Sequence, residues 1–466
     1  MERTAPQPTG RERPFGVEEL FFSTTDLKGR ILSGNEVFTR ISGYGEGQLV
    51  GSPHNIIRHP DMPRAVFRLL WDFIQSGRPI AAYVKNMAAD GCHYWVMASV
   101  VPIDGGYLSI RLKPTSDVFG LVVPLYAELR EIERLVDLDG RPRAHERGMD
   151  AAAERLAQRL AEAGFDGYEA FMRAGFTAEV TARQAALGTA GAHGRRHGGG
   201  AHERADLHGL LDACTTVHDF LVQLLRDIEA YATLNRTLAD RSEYVLGLAE
   251  QIRLFSLNAQ LASDRLGVRG ATLSAVAGIM RGHFTTIRPQ IEALGGDIDR
   301  AVDLLGDLGF RIAVSNLQTE MATVFIGELL ATGDGGAGAD LRVLTRCLVD
   351  SVEDLLGLQE RLGGLLTSLA AHAGHVRTEL ESIRVLAVDG RIEGARAHIG
   401  GAVVELFGTI SAQVGTARQE LGAFGDVDTV AAGSRDRARV AAVRRELERI
   451  GHLAAQPTTQ PTAPVS

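Results

Sequence analysis

The sequence predicts an α+β domain, a five-stranded antiparallel sheet with helices on one face, followed by an all-α bundle of long helices. Three observations carry this. Both tryptophans, Trp71 and Trp95, fall in the first quarter of the 466 residues, and the remainder is rich in Ala, Leu, Arg and Glu. Short extended runs bounded by Gly, Asp and Asn turns fill residues 15–115. From Asp206 onward, apolar residues recur at three- and four-residue spacing for longer than a globular helix runs.

Composition narrows the function classes. A formal net charge of −9 argues against a general nucleic-acid binder. Cys92, Cys214 and Cys347 are far apart and odd in number, with neither a disulfide framework nor metal-ligand spacing, which points to a reducing compartment. Residues 1–14 are polar, lack an apolar signal core and are expected to be disordered. No apolar run reaches eighteen residues, so no membrane span is expected and the cytoplasm is the expected location.

In the first domain, Phe21–Thr25 reads as a strand, Asp26–Gly29 as a turn and Arg30–Ser33 as the return strand. Asn35 starts a short helix over Glu36–Ile41, broken at Ser42-Gly43-Tyr44. Pro53–Pro63 gathers His54, Arg58 and His59 beside the start of a helix over Arg64–Gln75, for which Asp61 is the expected N-cap and Pro63 a first-turn residue. Val66, Leu69, Leu70 and Phe73 form that helix's apolar face, with Trp71 among them. A helix N-terminus flanked by Arg and His is an anion site. Pro79–Asn86, His93–Val101 and Tyr107–Arg111 complete the sheet, with turns at Asp90-Gly91 and Gly105-Gly106.

Several segments occur in an order that carries a resemblance: Thr24-Thr25-Asp26-Leu27, Ser42-Gly43-Tyr44, Gly51–Asn55, Arg58-His59-Pro60-Asp61-Met62, Lys85-Asn86, His93-Tyr94-Trp95-Val96 and Ser109-Ile110-Arg111. Together they resemble the sensor domain of bacterial aerotaxis receptors, a PAS domain that binds FAD. The resemblance covers about 95 residues within 15–115. It implies that Asn35, Arg58, His59, Asp61, Trp71 and Asn86 surround the flavin, with Tyr94 and Trp95 in the matching strand motif. The chemistry of the residues agrees. Trp71 offers a stacking face, Asn35 and Asn86 offer amides for ring edges, and Arg58 and His59 suit phosphates. Taken singly, Trp71 and Trp95 fit core packing equally well, Asn86 a strand-ending cap and His54 a buried hydrogen-bonded residue. The reactive Cys context of light-sensing flavin domains is absent, and Cys92 lies at a turn. Haem held by His59, His54 or His93 is the alternative cofactor.

A connector follows over residues 116–187, with amphipathic helices at Phe119–Val136 and Ala151–Ala163 and an aromatic cluster, Phe165, Tyr168, Phe171 and Phe176, expected in a core. Residues 188–204 form a Gly- and His-rich linker, 205–452 the helical bundle and 453–466 a disordered tail. Within the bundle, Ile252–Leu261 lines up with Ile383–Ile392, and each is followed by an Arg, a Gly-bearing turn and an apolar return helix. Both units resemble, in part, the hairpin tip of methyl-accepting chemotaxis receptors: Leu257-Asn258-Ala259 in the first, Ile392-Glu393-Gly394-Ala395-Arg396-Ala397 in the second. That resemblance implies signalling partners such as the chemotaxis kinase and its coupling protein. Glu250-Gln251 and Gln359-Glu360 look like methylation pairs, against the simpler reading of a solvated helix face.

No catalytic constellation is evident, so the protein is expected to be a sensor rather than an enzyme: a redox or oxygen sensor of the aerotaxis type, its flavin-binding PAS domain controlling a helical output region. A haem-based gas sensor and a cofactor-free PAS scaffold are the alternatives. The two hairpins are expected to pack against each other within a monomer, placing Leu257–Leu261 against Val385–Ile392, with a PAS-mediated dimer as the other arrangement.

Overall fold

The computed structural model describes residues 6–138, 141–189, 203–227, 230–240, 271–332, 338–396, 401–422 and 437–455, with isolated helical positions between 244 and 261. The chain divides into two units, one of Met1–Arg226, Gly309–Leu355 and Ala441–Ser466, the other of Asp227–Leu308 and Leu356–Val440. Residues 190–202 of the linker, 456–466 of the tail, Glu250-Gln251 and the turns after Leu261 and Arg396 lie outside the described residues, and the linker and tail residues that are described are helical.

In the first unit β1 (Phe21–Asp26), β2 (Ile31–Gly34), β3 (Ile80–Met87), β4 (His93–Ile103) and β5 (Gly106–Leu112) form one sheet in the order β2-β1-β5-β4-β3, every pair antiparallel. The β1–β2 turn closes because Asp26 Oδ1 accepts the N–H groups of Lys28 and Arg30, both at 2.8 Å, while Gly29 takes φ +73°. Between β2 and β3 lie α1 (Glu36–Ser42), α2 (Glu46–Leu49), a 3-10 turn at His54–Ile57 and α3 (Arg64–Gln75).

The N-terminal segment corrects one expectation. Residues 9–13 are ordered along the start of β4, with Thr9 N–H donating to Gly91 O (2.9 Å), Arg13 N–H to His93 O (2.7 Å) and His93 N–H to Arg11 O (2.9 Å). Its polar side chains hid a backbone that satisfies an otherwise unpaired strand end.

Strand alternation divides the sheet into two faces. The register puts Ser23, Thr25, Val84, Asn86, Ala98, Val100, Ser109 and Arg111 on the face toward α3. Phe22, Thr24, Tyr83 and Trp95 lie on the other. The connector is α4 (Phe119–Leu138), α5 (Ala144–Glu162) and α6 (Gly167–Thr189), of which α4 and α6 reach that far face and α5 packs against α3, α4 and α6. Phe119 of α4 packs on Tyr83 at 5.7 Å and on Trp95 at 5.4 Å. The aromatic cluster contributes Phe171 and Phe176, both buried on α6, to this layer. The unit is completed by α7 (Glu203–Arg226), α11 (Arg437–Ala455) and the adjoining ends of two long helices, α8 (Ala271–Thr332) and α9 (Gly338–Arg396). Phe325 of α8 meets Phe22 at 5.1 Å.

In the second unit, the beginning of α8 and the end of α9 pack together. His283 Nδ1 lies 2.7 Å from Glu379 Oε2, and buried Asp297 accepts from Ser368 Oγ (2.8 Å) and His372 Nδ1 (2.9 Å). The return limb of the first hairpin thus contacts the outgoing limb of the second. Within Val385–Ile392 only part of the segment is packed. Val385, Val388 and Ile392 are exposed, as are Leu257 and Leu261, whereas Leu380, Ile383 and Ala387 are buried. On α9 the buried stripe continues to Gly390, where a Cβ would lie 2.7 Å from Phe407 of α10 (Gly401–Gly422). The absence of a side chain there admits the Phe407 ring and fixes which face turns inward. Among the described residues no helix is long and apolar enough to cross a membrane.

Candidate functional site

Between α3 and the sheet lies a cavity of about 240 Å³. Phe67, Leu70, Trp71 and Ile74 line it from α3 at i, i+3, i+4 and i+7 spacing, and Val84, Ala98 and Val100 line it from the sheet. Trp71 packs edge-on to Tyr107 at 5.7 Å and approaches the β1–β2 turn, where a Cβ on Gly29 would lie 2.9 Å from its Cη2. Exposed Lys28 and Asn55 stand at the rim with half-buried Arg58.

The deep polar residues set the chemistry. Asn86, 3% exposed, keeps its amide nitrogen Nδ2 without a hydrogen-bond partner. Arg111, also 3% exposed, has no carboxylate partner among the described residues. Its Nη2 donates to Ser23 Oγ (3.0 Å) and to His54 Nε2 (2.6 Å). A guanidinium only donates, so His54 accepts at Nε2 and is neutral. Burial, and then the Arg111 charge, push His54 down to about 3, and burial brings Arg111 down to about 10. A buried cation and an orphan amide donor lining one apolar slot with an aromatic wall suit a planar ligand with acceptors along its edge.

Of the residues expected to surround a ligand, the cavity brings together Arg58, Trp71 and Asn86. An isolated bridge pairs Arg58 with Asn86. Arg58 also lies over the Phe67 ring at 4.1 Å and donates to Met62 O at 3.1 Å. The other five stand elsewhere. Asn35 uses its whole amide, with Oδ1 accepting from Phe22 N–H and Phe38 N–H and Nδ2 donating to Leu20 O and Glu328 Oε1. His59 Nδ1 accepts the Asp61 N–H at 3.1 Å, and burial pushes the ring down to about 4. Asp61 pairs with Lys85 Nζ at 2.7 Å. Tyr94 is buried against Phe15 and Phe21, and Trp95 faces the connector across the sheet.

Asp61 is not the cap of α3, a second correction. The N-cap is Pro63, which has no side-chain bond to give, and Ala65 N–H donates instead to Glu133 Oε1 of α4 at 2.9 Å. The anion at this helix N-terminus comes from the connector, about 70 residues away in sequence. Sequence reasoning also passed over Arg111 and weighed His54 as buried rather than site-forming. The alternation Tyr107, Ser109, Arg111 on β5 was the available signal, since it places all three on the face of Asn86.

The comparisons with known proteins fall on this domain. Residues 31–110 match the family described as the PAS fold. The aerotaxis receptor of Escherichia coli (strain K12) is 41% identical over 129 residues, 27% of this chain and 26% of that protein. The nitrogen fixation regulatory protein of Klebsiella pneumoniae is 27% identical over 81 residues, 17% of this chain and 16% of that protein. The chain therefore spans about a quarter or less of the curated relatives it matches. Among solved structures, the blue-light photoreceptor Aureochrome1 LOV in its light state is 20% identical, with 22% of this chain and 88% of that chain covered at a TM-score of 0.21. The N-terminal region is a PAS domain similar to that of an aerotaxis receptor, followed by long helices.

Proposed function

We propose that the cavity binds FAD and that the protein is a cytoplasmic redox or oxygen sensor whose PAS domain controls the helical region. One observation carries this reading: the cavity is lined by a buried guanidinium without a carboxylate and by a buried amide nitrogen without an acceptor among the described residues. Both are donors awaiting an electron-rich edge, and the 41% identity to an aerotaxis receptor over the same region supports a flavin as the group that supplies it. The volume suits a ring system inside and a phosphate-bearing tail outside, toward Arg58 and Lys28.

When bound, a flavin supplies a redox couple whose reduced ring is more electron-rich than its oxidised ring. The chain's own part is positional. Trp71 supplies an aromatic wall, Asn86 donates to the ring edge, and Arg111 supplies a positive charge at low dielectric where added negative charge is stabilised. His54 keeps Arg111 in place through an uncharged acceptor, so the charge is not neutralised. Haem suits these residues less well: His54 is the imidazole lining the cavity, and its Nε2 is committed to Arg111. Signalling partners of the helical region, including a chemotaxis kinase or its coupling protein, belong to the same proposal.

The test is the visible spectrum of the purified full chain, before and after addition of FAD. A flavin spectrum that bleaches on reduction is expected. A colourless protein that takes up no added FAD overturns the reading.

A further inference from the structure

Glu133 lies on the connector helix α4 and is fully buried, at 0% exposed. Its carboxylate occupies the N-terminus of α3, accepting from Ala65 N–H at 2.9 Å, with Arg64 Nε at 3.4 Å and Arg130 Nη1 at 3.5 Å. The same connector is held to α3 by Arg64–Asp137 (2.9 Å) and Arg68–Asp150 (2.7 Å), and Arg130 Nε donates to Pro60 O at 3.0 Å. A carboxylate is tolerated in a buried position only where oriented donors and cations compensate it. Here the compensation comes from the Ala65 N–H, Arg64 and Arg130, and Arg58 stands at the same helix start, donating to Met62 O at 3.1 Å. Arg58 is the shared member, because it also lines the cavity.

We infer that Glu133 is a tethered anion that latches the connector onto the ligand site and competes, through Arg58, with an anionic group of the ligand. A phosphate at the rim draws the Arg58 charge away from Glu133 and leaves the buried carboxylate undercompensated. The connector then loosens from α3. The coupling is reciprocal: what an anionic ligand does to the latch, loss of the latch does to the ligand's affinity. A ligand of the same ring without the phosphate fills the cavity and leaves the latch closed. The identity of the probe rests on the flavin reading, whereas the latch itself rests on Glu133 and the arginines.

The experiment compares the full chain with Glu133→Gln, whose amide oxygen still accepts from Ala65 N–H while the charge is lost. FAD and riboflavin are titrated into each. Glu133→Gln is expected to bind FAD on the order of tenfold more tightly, with riboflavin affinity unchanged. Equal effects on the two ligands, or no effect on FAD, overturn the latch. Hydrogen exchange on the unmutated chain gives a readout independent of the variant's folding. FAD, but not riboflavin, is expected to speed amide exchange across residues 119–162, and equal exchange with both overturns the proposal. If neither flavin binds either protein, the flavin reading fails by itself. Inorganic pyrophosphate then replaces FAD, and an unchanged affinity in Glu133→Gln overturns the latch.

Discussion

The two faces of the sheet handle buried charge in opposite ways. On the connector side, Glu179 is 0% exposed and receives Tyr83 O–H (2.9 Å), Ser116 O–H (2.8 Å), Ser116 N–H (2.8 Å) and Thr115 N–H (2.6 Å). Arg183 on the same side pairs with Glu320 through Nη2 at 2.6 Å. On the cavity side, among the described residues, Arg111 meets only uncharged acceptors and Asn86 Nδ2 meets none. Buried polar groups in folded proteins are almost always satisfied. A face whose buried guanidinium meets a carboxylate is holding structure together, and one whose buried guanidinium meets none is holding it for something else.

The largest effect that tests this contrast is on stability. Glu179→Ala leaves four donors without their acceptor, the buried Tyr83 O–H among them, and we expect a loss of roughly 3 kcal/mol in urea unfolding. Arg111→Met removes a buried cation whose partners are neutral, and we expect stability to hold or rise. Equal destabilisation by the two would abolish the distinction between the faces.

A smaller effect separates the two asparagines that the sequence treated alike. Asn86→Ala is expected to lower FAD affinity about tenfold, close to 1.4 kcal/mol, while changing ligand-free stability by under about 0.5 kcal/mol. Asn35→Ala is expected to do the converse: it removes the α1 N-cap and costs on the order of 1 kcal/mol of stability, with FAD affinity unchanged. Calorimetric titration and thermal unfolding of both variants check the pair, and a loss of FAD affinity in Asn35→Ala would return that residue to the site.

These asparagines show how far the sequence was legible. Strands, turns and the first helices follow from local alternation and punctuation, so the five strands appear within one or two residues of expectation. Trp71, Asn86 and Arg58 were reachable because helix and strand periodicity converge on one cavity. Asn35 and Trp95 were not, because their surroundings come from Glu328, Phe119 and Tyr126, which are distant in sequence. Asp61 failed as a cap for the same reason: the competing acceptor, Glu133, arrives from another helix. In the second unit, 3.6-residue spacing located the α9 helix, but only the close approach of Phe407 at Gly390 decided which stripe is buried. Local pattern thus determines elements, and long-range packing determines which polar groups remain free.

The smallest predicted effect concerns pH, and it sharpens the picture of Arg111 facing an uncharged partner. His54 and His59 are held down to about 3 and about 4, from an ordinary value of 6.5, by burial first. Both rings are therefore neutral in the folded protein at pH 6.5, while an unfolded chain binds a proton on each as pH falls through that value. Their contribution to stability is complete above pH 6.5 and is lost progressively as pH falls toward 4 and 3. Between pH 7.5 and 6.5 the two together are expected to cost about 0.7 kcal/mol. His54→Gln preserves an acceptor for Arg111 and cannot titrate, so it is expected to remove about half of that loss in urea unfolding at the two pH values. If His54→Gln instead steepens the loss, His54 is protonated in the folded chain. It would then repel Arg111 across 2.6 Å rather than accept from it, adding a cation next to the buried guanidinium.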